Sequence, residues 1–246
     1  MCTVSFRACG VSQIPANLGR VRERMAEAAL RAGRQVESAR LVAISKTFPI
    51  EAIREAYEAG QRDFGENKVQ EALQKIEAGS DMEIGWHLVG HLQSNKARKA
   101  AGRFNWIHAV DSTDLLRRVD QAATEAGRTV RVLVQVDLAL EPTKHGAPVD
   151  EVPGILEAAA GLHGARLCGL MLLPPMVGNP EDARPWFRRL RELRDRWVDG
   201  GTPAASLQEL SMGMSHDFEV AIEEGATLVR VGSAIFGTRF YGPQGP

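Results

Sequence analysis

The sequence has little cysteine and no long hydrophobic run. Its three cysteines, Cys2, Cys9 and Cys168, are odd in number and irregularly spaced, which argues against a disulfide framework. No stretch approaches the roughly 20 consecutive apolar residues that a membrane-spanning helix needs. The first residues also lack the apolar core of a secretory signal. These absences predict a cytoplasmic protein with no membrane partner.

An excess of charge of either sign is absent as well. The chain has 30 Lys+Arg against 31 Asp+Glu, a formal net charge of −1. Such a chain has no overall electrostatic field with which to hold nucleic acid. A solvated helix face explains the basic stretch of Lys96, Arg98, Lys99 and Arg103. We therefore expect no nucleic-acid partner, although a local phosphate site needs only a few oriented donors.

A short apolar run, a turn and an amphipathic stretch recur along the 246 residues. Several runs are rich in Val, Ile and Leu without polar alternation, as expected for parallel strands that are covered on both faces. The runs lie at residues 41–45, 63–65, 86–90, 106–110, 130–138, 167–173, 207–213 and 228–237. Helical patterns between them cover residues 50–59, 114–126, 182–197 and 216–224, several ending before a glycine.

Eight strand–helix alternations in this length predict an α/β protein with a single (β/α)8 TIM-type barrel. No Pro/Gly/Ser-rich linker divides the chain, so we expect one domain over residues 1–246, with a leading N-terminal helix at about 12–34 and the barrel at about 40–240. A doubly wound open sheet is the alternative, because periodicity does not show closure. In a barrel, the residues just past the strand ends form the site.

Lys46 ends the first apolar run. An apolar setting disfavours a charged amine, and the neutral amine is a nucleophile that forms Schiff bases with carbonyl compounds. The alternative is a structural lysine whose stem packs while its ammonium group reaches water.

The last two apolar runs carry a candidate phosphate site. Backbone N–H groups near Ser215, Gly232 and Ser233 can form an anion nest. Barrels often bind phosphate after their seventh and eighth strands. Arg230 shares a strand face with Leu228 and Gly232, so it should point toward this nest and needs an acceptor. An N-cap role for Ser215 and a structural ion pair for Arg230 are the alternatives.

Seven motifs then occur in order along the chain. They are AISKT (43–47), FGENKVQE (64–71), WHLVGHLQSNK (86–96), EPTKHG (141–146), GLM (169–171), SMGMS (211–215) and VRVGSAIFG (229–237). On these motifs the chain resembles the pyridoxal 5′-phosphate (PLP) homeostasis proteins of the YggS/PROSC type, whose fold is like the barrel domain of alanine racemase. The resemblance covers about residues 41–237.

The resemblance implies a PLP site of six residues and no metal. Lys46 matches the lysine that holds PLP covalently as a Schiff base. Arg230 matches the arginine that faces the pyridine nitrogen, and Asn67 the asparagine near the ring. The phosphate-binding positions are matched by Ser215, Gly232 and Ser233. The last of these is often threonine in the family.

The arginine bears on what such a site can do. A cation at the ring nitrogen disfavours its protonation, which leaves the cofactor a weak electron sink. The related racemases also use a tyrosine from a second domain, for which the chain has no room; Tyr57 and Tyr241 lie in a helical pattern and in the tail. The resemblance thus implies a monomeric factor in intracellular PLP homeostasis, with little or no catalysis and PLP-dependent apoenzymes as candidate partners. A minor amino-acid racemase is the alternative.

A metal-dependent barrel hydrolase is a more distant alternative. His87 and His91 have H-x3-H spacing, and His108 and Asp111 follow at the next strand end. The spacing here spans a strand and its exit, where residues four apart lie about 13 Å apart along the chain. That separation is too large for two ligands of one ion, so we predict no metal ligands.

Overall fold

Eight parallel strands form a barrel in the computed structural model, which describes residues 12–139 and 145–237. The strands are β1 Arg40–Ile44, β2 Asp63–Glu66, β3 Gly85–Leu88, β4 Trp106–Val110, β5 Val130–Asp137, β7 Ala165–Met171, β8 Glu209–Met214 and β9 Leu228–Val231, with the two-residue β6, Ala147–Pro148, pairing with β5 alone. They pair in the order β4-β3-β2-β1-β9-β8-β7-β5, and pairing of β4 with β5 closes the ring. The predicted (β/α)8 barrel is confirmed, and the open-sheet alternative is wrong.

Helices surround the ring. They are α1 Ile14–Arg31, α2 Ile50–Glu58, α3 Val69–Ala78, α4 Ala97–Ala101, α5 Thr113–Glu125, α6 Val152–Ala158, α7 Arg184–Asp199, α8 Phe218–Glu223 and α9 Ser233–Phe236. The Ser112 hydroxyl accepts a hydrogen bond from the Leu115 N–H at 3.2 Å and caps α5. The leading helix α1 packs against α8 and α9. Within the described ranges, no helix is both long and apolar enough to cross a membrane.

Two apolar layers hold the barrel together. The larger lies between the strands and the helices, and from β5 it includes the alternate residues Val130, Val132, Val134 and Val136. The smaller fills the inside of the ring, and its members are Val42, Ile44, Val89, Trp106, Leu133, Cys168, Met171 and Leu228. Because Leu228 belongs to the inner layer, Arg230, two residues further along the same strand, also faces the barrel interior.

Several element bounds differ from the sequence prediction. The run 228–237 is not one strand: β9 ends at Val231, and α9 begins after Gly232. Its apolar residues continue past the turn because α9 also packs on the core through Ile235. The helices α3 and α6 were not predicted. Cys2, Cys9, Tyr241 and residues 141–144 with Lys144 lie outside the described residues.

Candidate functional site

A cavity of about 480 Å³ lies at the carboxyl ends of the strands. All six predicted site residues line it, namely Lys46, Asn67, Ser215, Arg230, Gly232 and Ser233. They come from the ends of β1 and β2, early in the chain, and of β8 and β9, late in the chain. These four strands are adjacent around the ring. Their predicted roles toward a cofactor stay predictions.

Sequence reasoning missed other residues that line the same cavity, among them Phe48, Gln135, His145 and His216. The Phe48 ring packs on the ring of Phe236, with centroids 5.1 Å apart. Gln135 donates its side-chain amide to the carbonyl of His145. The available signal for Gln135 was an amide between the apolar residues Val134 and Val136, since a buried amide needs a hydrogen-bond partner.

Lys46 lies in a tight turn that follows β1. The Ser45 N–H donates to the Gly65 carbonyl at 3.0 Å, and the Phe48 N–H donates back to the Ser45 carbonyl at 3.1 Å. Between them Thr47 adopts φ +69°, a left-handed conformation that is costly for a β-branched residue. The Thr47 N–H donates to Oε1 of Glu71 at 2.6 Å. This hydrogen bond holds the strained turn and so fixes where Lys46 leaves the strand.

A buried ion pair supports the turn from behind. Nζ of Lys75 lies 2.8 Å from Oε1 of Glu66 and 2.8 Å from Oε1 of Glu71, and it donates to the Ser45 carbonyl at 2.9 Å. Glu66 is fully buried and also accepts from the Ser45 hydroxyl at 2.6 Å. Burial raises the pKa of Glu66 above its ordinary value, although Lys75 and Ser45 oppose this rise. The network ties α3 to the segment that carries Lys46.

Asn67 is held by the loop that follows β3. A Cβ at Gly90 would lie 2.3 Å from the Asn67 carbonyl oxygen and 2.8 Å from its Cα. Only glycine permits this approach. The contact places the backbone of Asn67 at the edge of the cavity.

The ends of β8 and β9 meet at Ser215. Gly213 adopts φ +90°, and a Cβ there would lie 2.5 Å from Cβ of Ala221, so the turn over α8 requires glycine. The Ser215 hydroxyl accepts from the Gly232 N–H at 3.1 Å, and it does not cap α8, whose N-cap is Asp217. Because α9 begins at Ser233, its first N–H groups have no acceptor within the helix. Hydroxyl and amide donors therefore converge at this end of the cavity.

Arg230 is buried inside the barrel at the floor of the cavity. Its Nη1 donates to the Ser211 hydroxyl at 2.6 Å and its Nη2 to the Leu172 carbonyl at 2.8 Å. Both acceptors are neutral, unlike those of the structural ion pair considered from the sequence. Burial lowers the pKa of Arg230 to about 10, with the nearby charge of Asp217 opposing the shift. The guanidinium thus remains a cation at neutral pH.

The Ser211 hydroxyl connects Arg230 to two histidines. It lies 2.9 Å from Nδ1 of His108, whose Nε2 lies 2.9 Å from Nδ1 of His87. Nε2 of His87 in turn lies 2.9 Å from Oδ1 of Asp63 at the start of β2. The chain of contacts runs over β2, β3 and β4 and then crosses the barrel interior to β8 and β9.

The protonation of this chain follows from burial. Both histidines are fully buried, and burial lowers the pKa of His87 and takes that of His108 well below its ordinary value. Burial acts to raise the pKa of Asp63, but the His87 hydrogen bond and the charges of Arg40 and Arg131 outweigh it and hold that pKa below its ordinary value. At neutral pH the chain therefore joins a carboxylate, two neutral imidazoles, a hydroxyl and a guanidinium.

The residues of the hydrolase alternative do not come together. His87 and His108 face the barrel interior, whereas Nδ1 of His91 lies 3.6 Å from Oδ2 of Asp111 at the mouth of the cavity. His145, which sequence reasoning did not consider, joins them there. The rings of His91 and His145 stack with centroids 3.6 Å apart and planes 12° apart. Rings stacked in this way do not aim two in-plane lone pairs at one ion at about 2 Å, so the geometry does not favour a metal centre.

The chain is similar in sequence to known proteins over most of its length. The family model for the alanine racemase N-terminal domain matches residues 16–240. The pyridoxal phosphate homeostasis protein of Aquifex aeolicus is 45% identical over 224 residues, which cover 91% of this chain and 97% of that protein. The protein of the same name from Escherichia coli is 38% identical over 234 residues, with coverage of 94% and 99%.

Solved structures extend the likeness to the fold. PipY of Synechococcus elongatus without PLP matches with a TM-score of 0.83 at 40% identity, over 92% of this chain and 100% of that chain. The same protein with PLP bound matches with a TM-score of 0.77 at 41% identity, over 88% and 100%. An alanine racemase of Clostridium difficile is 13% identical, with a TM-score of 0.73 over 94% of this chain and 58% of that one, so it shares the fold alone.

The ion pair behind the Lys46 turn predicts a large effect on stability. Replacing Lys75→Met leaves the buried Glu66 without its cation, which should lower the free energy of unfolding by about 3–5 kcal/mol. The double variant Lys75→Met/Glu66→Leu should recover much of this loss, because no buried charge is then left unpaired. Urea unfolding measures both. Lys68→Met, at an exposed lysine just before α3, is the control; a Lys75→Met protein as stable as that control would contradict the account.

The neutral histidines predict that the protein loses stability in mild acid. In the unfolded chain each titrates near its ordinary pKa of about 6.5, while His87 and His108 stay neutral to lower pH in the folded state. Below about pH 6.5 the unfolded chain binds more protons than the folded chain. For each unit by which the pH then drops, the two histidines together lower the free energy of unfolding by up to about 2.7 kcal/mol.

Denaturant unfolding between pH 7 and pH 5 measures this slope. Replacing His108→Phe should remove about half of the contribution of the pair. The same replacement at His163, an exposed residue, is the control. Equal slopes in the wild type and the His108→Phe variant would refute the assignment.

Proposed function

The chain belongs to the pyridoxal phosphate homeostasis protein family, and on this premise we propose that it binds PLP in the cavity at the carboxyl ends of its strands and takes part in PLP homeostasis. The observation that carries the proposal is that one cavity is lined by all six residues that match the family's PLP site. Its volume, about 480 Å³, lies within the range of ordinary cofactor pockets.

The residues of the cavity fit PLP at four points. The amine of Lys46 would hold the aldehyde end as a Schiff base, and Arg230 would face the pyridine nitrogen. Asn67 would lie beside the ring. The phosphate would be received by the Ser215 hydroxyl and by the backbone around Gly232 and Ser233. A side chain at position 232 would approach the Ile44 carbonyl to 3.2 Å, so glycine keeps this end of the cavity open to backbone contacts.

Arg230 favours a carrier over an enzyme. When bound, PLP supplies an aldehyde that amines attack and a ring that withdraws electrons if its nitrogen is protonated. A guanidinium that remains charged at neutral pH opposes that protonation. We therefore propose that catalysis is weak or absent. The racemase alternative gains no support from Tyr57, whose hydroxyl accepts from the Glu83 N–H outside the cavity lining.

The setting in which the chain works is also part of the proposal. We propose a monomer that acts as one domain in the cytoplasm and exchanges PLP with PLP-dependent apoenzymes. The name shared by its relatives supports a role in PLP homeostasis. A near-zero net charge supports the absence of a nucleic-acid partner.

Covalent binding through Lys46 is directly testable. Purified protein incubated with PLP should show the visible absorbance of a lysine-linked cofactor, and Lys46→Ala should lose it, because Lys46 is the only lysine among the described residues that lines the cavity. Borohydride reduction followed by peptide mapping locates the attachment. Lys68→Ala, at an exposed lysine outside the cavity lining, is the matched control. Attachment at Lys68 or Lys144 in the wild type would overturn the assignment.

The weak-catalysis proposal is tested by hydrogen exchange. The PLP-loaded protein, incubated with alanine in deuterated water, should incorporate little deuterium at Cα, because the unprotonated ring stabilises a carbanion poorly. Mass spectrometry of the amino acid measures incorporation, with an authentic alanine racemase as the positive control. Incorporation at a rate close to that of the racemase would favour the enzyme alternative.

A further inference from the structure

A chain of hydrogen bonds leads from the floor of the cavity to the far side of the barrel interior. Its members are Arg230, Ser211, His108, His87 and Asp63, joined by four contacts of 2.6–2.9 Å. We call these five residues the relay. We propose that Asp63, His87, His108 and Ser211 are positioning residues, which hold the guanidinium of Arg230 aimed at the ring nitrogen of the cofactor. This inference rests on the proposed PLP site.

The chemistry of Arg230 sets the direction of its hydrogen bond to Ser211. A guanidinium only donates, so the Ser211 oxygen accepts from Nη1, and the single hydroxyl proton of Ser211 is available to Nδ1 of His108. A neutral His108 then carries its proton on Nε2 and donates to Nδ1 of His87.

The other end of the relay leads to the same assignment. An ionised carboxylate only accepts, so Asp63 requires the proton of His87 to be on Nε2. Nδ1 of His87 is then an acceptor, which is what the donor on His108 needs. A proton on Nε2 of each histidine therefore satisfies both ends of the relay, and each of its four hydrogen bonds has one donor and one acceptor.

This agreement has a consequence for Arg230. Its Nη1 and Nη2 are held by Ser211 and by the Leu172 carbonyl, and a planar group held at two atoms has a fixed orientation. Hydrogen bonds that all run the same way polarise one another, so the negative Asp63 strengthens the acceptor that Arg230 meets at Ser211. The relay members pack tightly as well: the His87 ring stacks on Trp106, with centroids 5.5 Å apart and planes 7° apart.

Positioning of Arg230 can be distinguished from a general structural role of buried polar groups. Asp63 is not packed inside the barrel, since 26% of its side chain is exposed, and it reaches Arg230 only through three intervening residues. If Asp63 acted through its charge alone, removing that negative charge would make the surroundings of the ring nitrogen more positive and would lower the pKa of that nitrogen. Loss of positioning would shift this pKa in the opposite direction, because a guanidinium that is no longer held at the ring nitrogen lets that nitrogen protonate more readily.

The test uses PLP labelled with ¹⁵N in its ring and bound to the full-length protein. The ¹⁵N chemical shift distinguishes a protonated from an unprotonated ring nitrogen and is followed as a function of pH. In the wild type the nitrogen should stay unprotonated across the neutral range. In His108→Phe, which removes both histidine nitrogens at similar size, protonation should move to higher pH by about one unit, and PLP should bind about tenfold more weakly, as expected when support for a charged hydrogen bond is lost.

Asp63→Ala is a second test variant, which keeps the proposal testable if the His108→Phe protein does not fold. It should shift the protonation of the ring nitrogen in the same upward direction, by less. Two controls keep the relay intact: Asp114→Ala removes an exposed carboxylate that pairs with Arg118, and Met171→Leu alters the apolar layer inside the barrel. Neither should move the titration.

The outcomes separate the relay from the proposed function. A wild-type protein that binds no PLP would contradict the proposed function itself. If the wild type binds PLP and Lys46→Ala does not, but both relay variants titrate like the wild type, the positioning role is wrong and the site stands. A downward shift in Asp63→Ala would mean that Asp63 acts by charge alone, which also overturns the relay.

Discussion

The pairing of β9 with β1 is the constraint on which the cavity depends. Val42 pairs with Arg230 and Ala43 with Val231, so the turn that carries Lys46 lies beside the turn at Gly232. An amine from the start of the barrel and a set of donors from its end thus face one space, although they are far apart in sequence. An open sheet would leave these two edges unpaired and would have no such cavity.

Around this cavity the protein buries charged and polar groups. The Glu66–Lys75 pair lies behind the Lys46 turn, and the relay runs from the partly exposed Asp63 through the interior of the barrel to Arg230. Buried ion pairs and polar chains seldom add stability over apolar replacements of the same shape. Both networks instead end on groups that line or hold the cavity, the Thr47 backbone in one case and Arg230 in the other. Their common effect is to fix the orientation of the Lys46 turn and of Arg230, which would meet the two ends of a bound ligand.

Local sequence patterns predicted the barrel, and together with the family resemblance they predicted the six cavity residues. Apolar runs mark strands, and residues past strand ends must meet at one rim once the ring closes. The relay could not be predicted in the same way. The spacing of His87 and His91, followed by His108, suggested a metal site, and only closure shows that His87 and His108 face inward and bond to each other. Lys75 was missed because α3 was not predicted, and nothing in its sequence marks that one lysine as buried. The run 228–237 was misassigned because apolar character continues from β9 into α9.

The most direct test of the central claim is a crystal structure of this chain grown with PLP. The account predicts continuous electron density from Nζ of Lys46 to the cofactor, the ring nitrogen within hydrogen-bonding distance of Arg230, and the phosphate against Ser215, Gly232 and Ser233. Density for PLP at another lysine, or a phosphate away from the ends of β8 and β9, would contradict it.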